Sequence, residues 1–324
     1  MSSASAAGLA VSLVVSIGLW APSTSNHQIP VEKQKPKQAQ DPEPTQVPDK
    51  AQVIAVDTTV VILNMTVTDA EGRHVRKLSA DDFEVLEDRV PQHILSLSST
   101  EMPFAAAILL DSSGSMDAKM SLARAACSSF VEGIRDGDVF AIYGFGGTKV
   151  QLLQDFTEVR DAGFAIWDED ARGMTPLYDC IVTASEALSK RSERRKAILL
   201  VSDGADTQSK ATFEKAMRTA LDADVAVYGV DLSDSAVNRN PVRDSGAEAM
   251  KQFATRTGGK FFRTPGGAAL RSTFVATVEE LRNQYTLVYE PTNEKADGKW
   301  RSIEVRPRRL NVNVRTRQGY FARK

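Results

Sequence analysis

Two hydrophobic patterns divide the chain. Between residues 104 and 284, short apolar runs alternate with segments whose apolar residues recur every three or four positions. The apolar runs predict strands at 104–110, 139–145, 150–153, 198–201, 225–230 and 260–263. The periodic segments predict helices at 119–134, 176–190, 210–222, 244–256 and 267–282. This alternation is typical of an α/β domain with a doubly wound, mainly parallel sheet.

The regions on either side of this pattern are rich in predicted strands. Residues 53–68 alternate apolar and polar positions, and Asp69–Gly72 predicts a hairpin turn. Further strands are predicted at 84–88, 93–97, 285–289, 301–305 and 310–314. Because isolated sets of short strands are marginally stable, we expect residues 51–100 and 285–324 to form one discontinuous β-sandwich domain. The doubly wound domain, over 101–284, is then inserted in it.

The first fifty residues differ in composition from the rest. Ala6–Trp20 is apolar apart from Ser12 and Ser16, which is short for a membrane span and suits the core of a signal peptide. We therefore predict a signal peptide or short anchor over 1–25 and an exported protein in the periplasm, the cell envelope or the medium. Residues 26–50, rich in Pro, Gln and Lys, predict a solvated linker.

Composition excludes several classes of site. The chain of 324 residues has a formal net charge of −2, which implies no bulk polyelectrolyte partner. Its two cysteines rule out a disulfide-dense scaffold and a Cys-rich zinc site. All three histidines precede residue 104, so the α/β region holds no Ser-His-Asp triad. A disulfide between Cys127 and Cys180 stays open, without support from spacing.

The C-terminal segment is basic, with seven Arg and two Lys but a single Glu from 299 to 324. Ile303 and Val305 alternate with polar residues there, as on the wet side of a strand. The segment has no aromatic or glycine-rich RNA-binding pattern. We therefore expect a solvated strand face and no nucleic-acid partner.

Polar side chains follow two of the buried strands. The run Phe104–Leu110 ends in Asp111, Ser113 and Ser115, and Ala197–Val201 ends in Ser202 and Asp203. The carboxyl ends of strands form the binding edge of such sheets. Carboxylate and hydroxyl oxygens suit Mg²⁺ or Mn²⁺ and suit Zn²⁺ poorly. The alternative is that Asp111 caps a helix and Asp203 forms a turn, without metal.

This Asp-x-Ser-x-Ser motif, followed in order by Thr175 and Asp203, resembles the von Willebrand factor A domain with its metal-ion-dependent adhesion site. The resemblance implies that Ser113 and Ser115 bind the metal directly and that Asp111 and Asp203 bind it directly or through water. It also implies that Thr175 joins when a ligand is held.

The flanks are similar to those of an exported bacterial von Willebrand factor A-related family abundant in acidobacteria. The similarity rests on Val67–Gly72, Leu78–Asp88, Tyr285–Tyr289 and Arg317–Tyr320.

Two carboxylates cannot fill the coordination sphere of a hard divalent cation, so an acidic group from a protein or peptide partner would complete it. The expected function is therefore a binding or adhesion module rather than an enzyme. One alternative is an envelope or assembly module whose metal only ties loops together. Another is a metal-dependent hydrolase with Asp117 or Asp206 as base, although the region lacks His, a second-metal cluster and a phosphate-binding loop.

The predicted last helix runs into the strand at Tyr285 with no Gly or Pro between Leu281 and Tyr285. In related A domains, ligand binding shifts this helix. Both a change in the angle between domains and a rigid connection therefore stay open.

Overall fold

The computed structural model describes residues 60–147, 149–160, 173–203, 205–233, 241–263 and 267–323, with the backbone alone for 241–243. The predicted leader or anchor over 1–25, the linker over 26–50 and the first part of the strand expected at 53–68 lie outside these residues.

A six-stranded sheet forms the α/β part, in the order β6-β5-β4-β7-β8-β9. All neighbours are parallel except the edge pair β5 and β6. The strands are β4 (Phe104–Asp111), β5 (Val139–Gly146), β6 (Lys149–Thr157), β7 (Arg195–Ser202), β8 (Val225–Asp231) and β9 (Phe261–Arg263). This confirms the predicted mainly parallel, doubly wound sheet.

Helices cover both faces of this sheet. They are α1 (Met120–Gly133), α2 (Leu177–Ser189), α3 (Phe213–Asp222), α4 (Pro241–Thr257) and α5 (Gly267–Arg282). On one face the core contains residues of α1 and α5, and on the other it contains residues of α2, α3 and α4. Alternate residues of β4, such as Ile108 and Leu109, enter opposite cores. A strand buried on both faces therefore has to be apolar at every position.

The strands that flank the α/β part in sequence form one seven-stranded antiparallel sheet, in the order β12-β1-β10-β3-β2-β11-β13. Its strands are β1 (Val61–Asp69), β2 (Phe83–Glu87), β3 (Val90–Ser98), β10 (Tyr285–Glu290), β11 (Trp300–Pro307), β12 (Val312–Arg315) and β13 (Gly319–Phe321). Strand β10 lies between β1 and β3, so the two ends of the described chain share one core. The expected sandwich is thus one curled sheet.

Local differences from the predicted elements have backbone causes. Asp69–Gly72 turns the chain as expected, but only a single bridge between Thr68 and His74 follows it, instead of a second strand. The strand expected at 310–314 begins at Val312 because Asn311 has φ of 59° and Leu310 is 91% exposed. Strand β13 had no sequence prediction.

Arg195 joins the two sheets at the points where the chain crosses between them. Its buried guanidinium donates to the carbonyls of Thr100 (2.9 Å) and Gln284 (2.6 Å), which precede β4 and β10. It also donates to the carbonyls of Leu281 (3.1 Å) and Arg282 at the end of α5. One side chain therefore fixes both crossings.

The two cysteines are free and buried, and they lie in cores on opposite faces of the six-stranded sheet. The disulfide that the sequence left open is therefore not formed. In the described part of the chain, no helix is both long enough and apolar enough to cross a membrane.

Candidate functional site

The fold brings Asp111 and Asp203 to one edge of the six-stranded sheet. Strands β4 and β7 are parallel neighbours, with Leu110 opposite Val201, so the residues that follow them emerge side by side. Asp111 ends β4, and Asp203 follows the last residue of β7. Both carboxylates are buried.

Asp111 is held by two serines. Its Oδ1 accepts a hydrogen bond from the Ser113 backbone N–H at 2.8 Å, and its Oδ2 accepts one from the Ser202 hydroxyl. Burial raises the pKa of Asp111 to about 6, although the hydrogen bonds from Ser202 and Ser113 oppose that shift. Asp111 caps no helix, because Ser113 precedes the 3₁₀ turn Gly114–Lys119.

A chain of oxygens links the motif to Asp203. The Ser113 and Ser115 hydroxyls are 3.1 Å apart, and Ser115 donates to Asp203 Oδ1 at 2.6 Å. Ser115 is exposed whereas Ser113 and Asp203 are buried, so this series of oxygens reaches solvent at Ser115. Asp203 Oδ2 accepts from the Lys119 ammonium at 2.7 Å.

The Thr175 segment lies against both of these loops. The Gly114 N–H donates to the Gly173 carbonyl at 3.3 Å, which connects the Asp-x-Ser-x-Ser motif to this segment. Thr175 N–H donates to the Thr207 hydroxyl at 2.9 Å, and Thr207 N–H donates back to the Thr175 carbonyl at 2.9 Å. The five candidate residues therefore lie on three interlinked loops, although no hydrogen bond joins the Thr175 hydroxyl to the others among the described contacts.

A second set of hydrogen bonds fixes the start of α2. Asp206 Oδ1 accepts from Tyr178 N–H at 3.2 Å and also from the Ser209 hydroxyl. The Asp179 carboxylate accepts from Lys210 N–H at 3.0 Å and Ala211 N–H at 2.8 Å. Asp206 thus satisfies a backbone donor of the first helical turn from outside the helix.

Two glycines allow these loops to approach closely. A Cβ on Gly146 would lie 2.6 Å from the carbonyl oxygen of Ser112. A Cβ on Gly173, which has φ of 78°, would lie 2.6 Å from the Cα of Gly147. Both positions require glycine because the neighbouring atoms are backbone.

The donor set fits a hard divalent cation. Within the described ranges, no cluster of three or more His, Cys, Asp or Glu side chains could hold a metal. The site offers two carboxylates and two linked hydroxyls, which are ligands that Mg²⁺ accepts together with water. The Lys119 ammonium forms an ion pair with Asp203, so a positive charge already lies where a bound cation would contact this carboxylate.

Lys119 and Ser202 were missed by the sequence reasoning. Lys119 is four residues beyond Ser115, about one helical turn, and this spacing was a usable signal. Ser202 directly precedes Asp203 and was given no role beyond following the apolar strand, because its contact with Asp111 depends on the pairing of β4 with β7.

Comparison with known proteins gives a family for the α/β part. Residues 105–261 match the family model described as von Willebrand factor type A domain. The curated proteins gave no match.

Several solved structures are similar to this chain at low identity. A von Willebrand factor type A structure from Catenulispora acidiphila has 14% identity and a TM-score of 0.47, covering 80% of this chain and 72% of its own. The PilB minor pilin from Streptococcus sanguinis has 13% identity and a TM-score of 0.45, covering 57% of this chain, which spans 63% of that pilin. The von Willebrand factor domain of the type V pili tip protein Mfa5 from Porphyromonas gingivalis has 14% identity and a TM-score of 0.46. The match covers 56% of this chain and 96% of that domain's chain.

Proposed function

We propose that this chain, whose residues 105–261 form a von Willebrand factor type A domain, is a binding module that holds a protein partner through a divalent cation. Mg²⁺ or Mn²⁺ is the cofactor in this proposal, and an acidic group of the partner completes its coordination. The observation that carries the proposal is the hydrogen-bonded series in which the Ser113 backbone N–H contacts Asp111 and the Ser113 and Ser115 hydroxyls lead to Asp203.

The roles of the residues follow from their positions. Asp111, Ser113, Ser115 and Asp203 would hold the cation, and Thr175 would join them when a partner is bound. A bound cation would supply positive charge and open coordination positions to a carboxylate. Because Ser115 is exposed while Asp111 and Asp203 are buried, a partner approaches from the Ser115 side.

The surroundings of the site suggest what else a partner carries. Met174 precedes Thr175 and is 55% exposed, which places a large apolar side chain at the rim of the site. A partner segment with an apolar residue near its acidic group would bury this side chain and gain free energy from the area removed from water.

A binding role fits these contacts better than the two alternatives. The three loops are joined by hydrogen bonds between protein groups, such as Thr175 with Thr207, so a cation is not needed to tie them. A hydrolase would need a base. Of the two candidates, the Asp206 carboxylate is occupied by Tyr178 N–H and Ser209, and Asp117 lies exposed in the 3₁₀ turn. We therefore propose no enzymatic activity.

An exported location belongs to the same proposal. It rests on the apolar segment Ala6–Trp20 and the proline-rich residues that follow it. In that setting the partner is a protein or peptide of the cell surface or its surroundings.

Titration calorimetry of the full chain tests the metal site. Mg²⁺ or Mn²⁺ should bind at one site, and the double variant Asp111→Ala with Asp203→Ala should give no binding heat. The control Asp136→Ala changes an exposed acid in the turn before β5, at the opposite edge of the sheet, and should bind as the unchanged protein does. Unchanged heat in the double variant would show that the cation binds elsewhere.

Selection from a displayed random-peptide library tests the partner chemistry. The immobilised full chain is loaded with Mg²⁺, and bound peptides are released with a chelator. Released peptides should be enriched in Asp or Glu, with an apolar neighbour, and the double variant should retain none of them. The proposal would be contradicted if the recovered peptides lacked acidic residues, or if peptides stayed bound to the immobilised chain after the chelator was added.

A further inference from the structure

Lys119 occupies a position that the proposed cation also needs. It ends the 3₁₀ turn Gly114–Lys119 and directly precedes α1. Its ammonium Nζ lies 2.7 Å from Asp203 Oδ2, and its side chain is only 14% exposed. The Asp203 side chain is fully buried, so this contact lies in a region where water screens charge poorly.

Both oxygens of Asp203 are engaged by the segment that carries the Asp-x-Ser-x-Ser motif. Ser115 donates to Oδ1 at 2.6 Å, and Lys119 donates to Oδ2. A buried carboxylate without a partner is strongly unfavourable. Lys119 therefore supplies the neutralising charge whenever no cation is bound.

Lysine is suited to giving this contact up. Its charge is a compact ammonium on a flexible four-carbon stem, which can swing to solvent without moving the backbone. An arginine would hold a carboxylate through a rigid fork and would release it less readily.

We propose that Lys119 is a built-in competitor of the divalent cation at Asp203, and that its charge sets both the metal affinity and the preference for an anionic partner. This inference rests on the proposed function. A divalent cation would neutralise the two carboxylates of Asp111 and Asp203, and the displaced Lys119 ammonium would remain beside the site as one positive charge. An acidic group of the partner then restores neutrality.

Lys119→Met tests the competition because it keeps the apolar stem and removes the charge. Its affinity for Mn²⁺, measured by calorimetry on the full chain, should rise at least about tenfold. Lys119→Arg should bind Mn²⁺ no more tightly than the unchanged protein. The control Lys190→Met removes an exposed lysine at the end of α2 and should leave the affinity unchanged.

Thermal unfolding gives a second measurement. Without metal, Lys119→Met should unfold at a lower temperature than the unchanged protein, because Asp203 loses its counter-ion. Added Mn²⁺ should raise the unfolding midpoint of this variant more than that of the unchanged protein, since the stabilisation by a ligand grows with the logarithm of its concentration divided by its Kd.

Amine labelling of the unmutated chain covers the case in which Lys119→Met does not fold. Reductive methylation with mass spectrometry should modify Lys119 slowly without metal and several-fold faster at saturating Mn²⁺. Equal labelling under both conditions while Mn²⁺ demonstrably binds would overturn the inference.

The outcomes separate the two proposals. If the unchanged protein and Lys119→Met bind Mn²⁺ equally, or the variant binds more weakly, Lys119 is no competitor and the binding function stands. If neither binds any cation, the proposed function itself fails. If only the variant binds, the competition is stronger than the unchanged site can overcome, which supports the inference.

Discussion

Each oxygen of the Asp111 carboxylate accepts a hydrogen bond from a different serine. The Ser113 backbone serves Oδ1, and the Ser202 hydroxyl serves Oδ2. Because burial already disfavours the charged form of Asp111, the Ser202 hydroxyl matters for keeping this carboxylate ionised inside the protein.

Ser202→Ala should therefore destabilise the metal-free protein. Removing a donor from a buried carboxylate costs about 1–3 kcal/mol of unfolding free energy, and urea denaturation measures it. The control Ser189→Ala removes an exposed hydroxyl that donates to the Glu186 carbonyl and should cost far less. Equal stability of Ser202→Ala and the unchanged protein would mean that water replaces the hydroxyl.

The residues of the site could be predicted only where their signal was local. Asp111, Ser113 and Ser115 directly follow one apolar strand, and Asp203 follows another. Ser202 and Lys119 contact Asp111 and Asp203 respectively, each from the loop or strand end that follows the neighbouring strand. The contact of Ser202 depends on strand order, which spacing in a sequence does not give, whereas Lys119 could have been found from its spacing to Ser115.

At the scale of elements, Arg195 shows what the sequence could not reveal. It stands in the charged run Lys190–Lys196, which looks like a solvated segment. In the fold it is the first residue of β7, and burial lowers its pKa to about 10. Its donors reach the carbonyls at the end of α5, where the helix dipole also favours a positive charge.

Arg195→Met should cost about 1–3 kcal/mol of unfolding free energy for each buried carbonyl left without a donor, and the carbonyls of Leu281, Arg282 and Gln284 all belong to buried residues. Arg195→Lys should recover only part of this, since an ammonium cannot span the same set of acceptors. Guanidinium denaturation measures both variants. Arg194→Met changes the exposed neighbour and is the matched control, and an equal loss in Arg194→Met and Arg195→Met would indicate a general effect of charge in this run.

The elements themselves were predictable where burial imposed a clear pattern. Strand β4 is buried at every residue, and its apolar run was read correctly. Strand β13 has three residues and pairs only with Trp300–Ser302 of β11, so no periodicity could reveal it.

At the scale of the whole described chain, the basic C-terminal segment connects the two sheets. Arg315 pairs with Glu280 of α5 at 2.6 Å, and Arg317 pairs with Asp224 before β8 at 2.6 Å. The sequence showed the excess of arginine, but the acidic partners are distant along the chain.

The last helix of the α/β part, α5, is held near its end by three sets of contacts. Arg195 binds its terminal carbonyls, Arg282 pairs with buried Asp138, and Glu280 binds Arg315. A displacement of α5 along its axis would break several of these contacts at once. Coupling between site and flanking sheet requires a second arrangement that the ligand prefers. These contacts favour a rigid connection.

We therefore predict that ligand binding leaves the distance between the two sheets unchanged. Spin labels at Glu186→Cys in α2 and Leu310→Cys between β11 and β12 occupy exposed positions on the two parts. Burial raises the pKa of Cys127 to about 12 and that of Cys180 well above its usual value, so both native thiols should stay unlabelled.

Pulsed electron resonance should give the same distance distribution without metal, with Mg²⁺, and with Mg²⁺ plus a selected acidic peptide. The control adds Glu280→Gln to the labelled protein. Because this substitution weakens the contact with Arg315, it should broaden the distribution and show that the measurement can detect movement. If the peptide binds and the unmodified distribution shifts, then α5 transmits binding to the flanking sheet and the rigid connection is wrong.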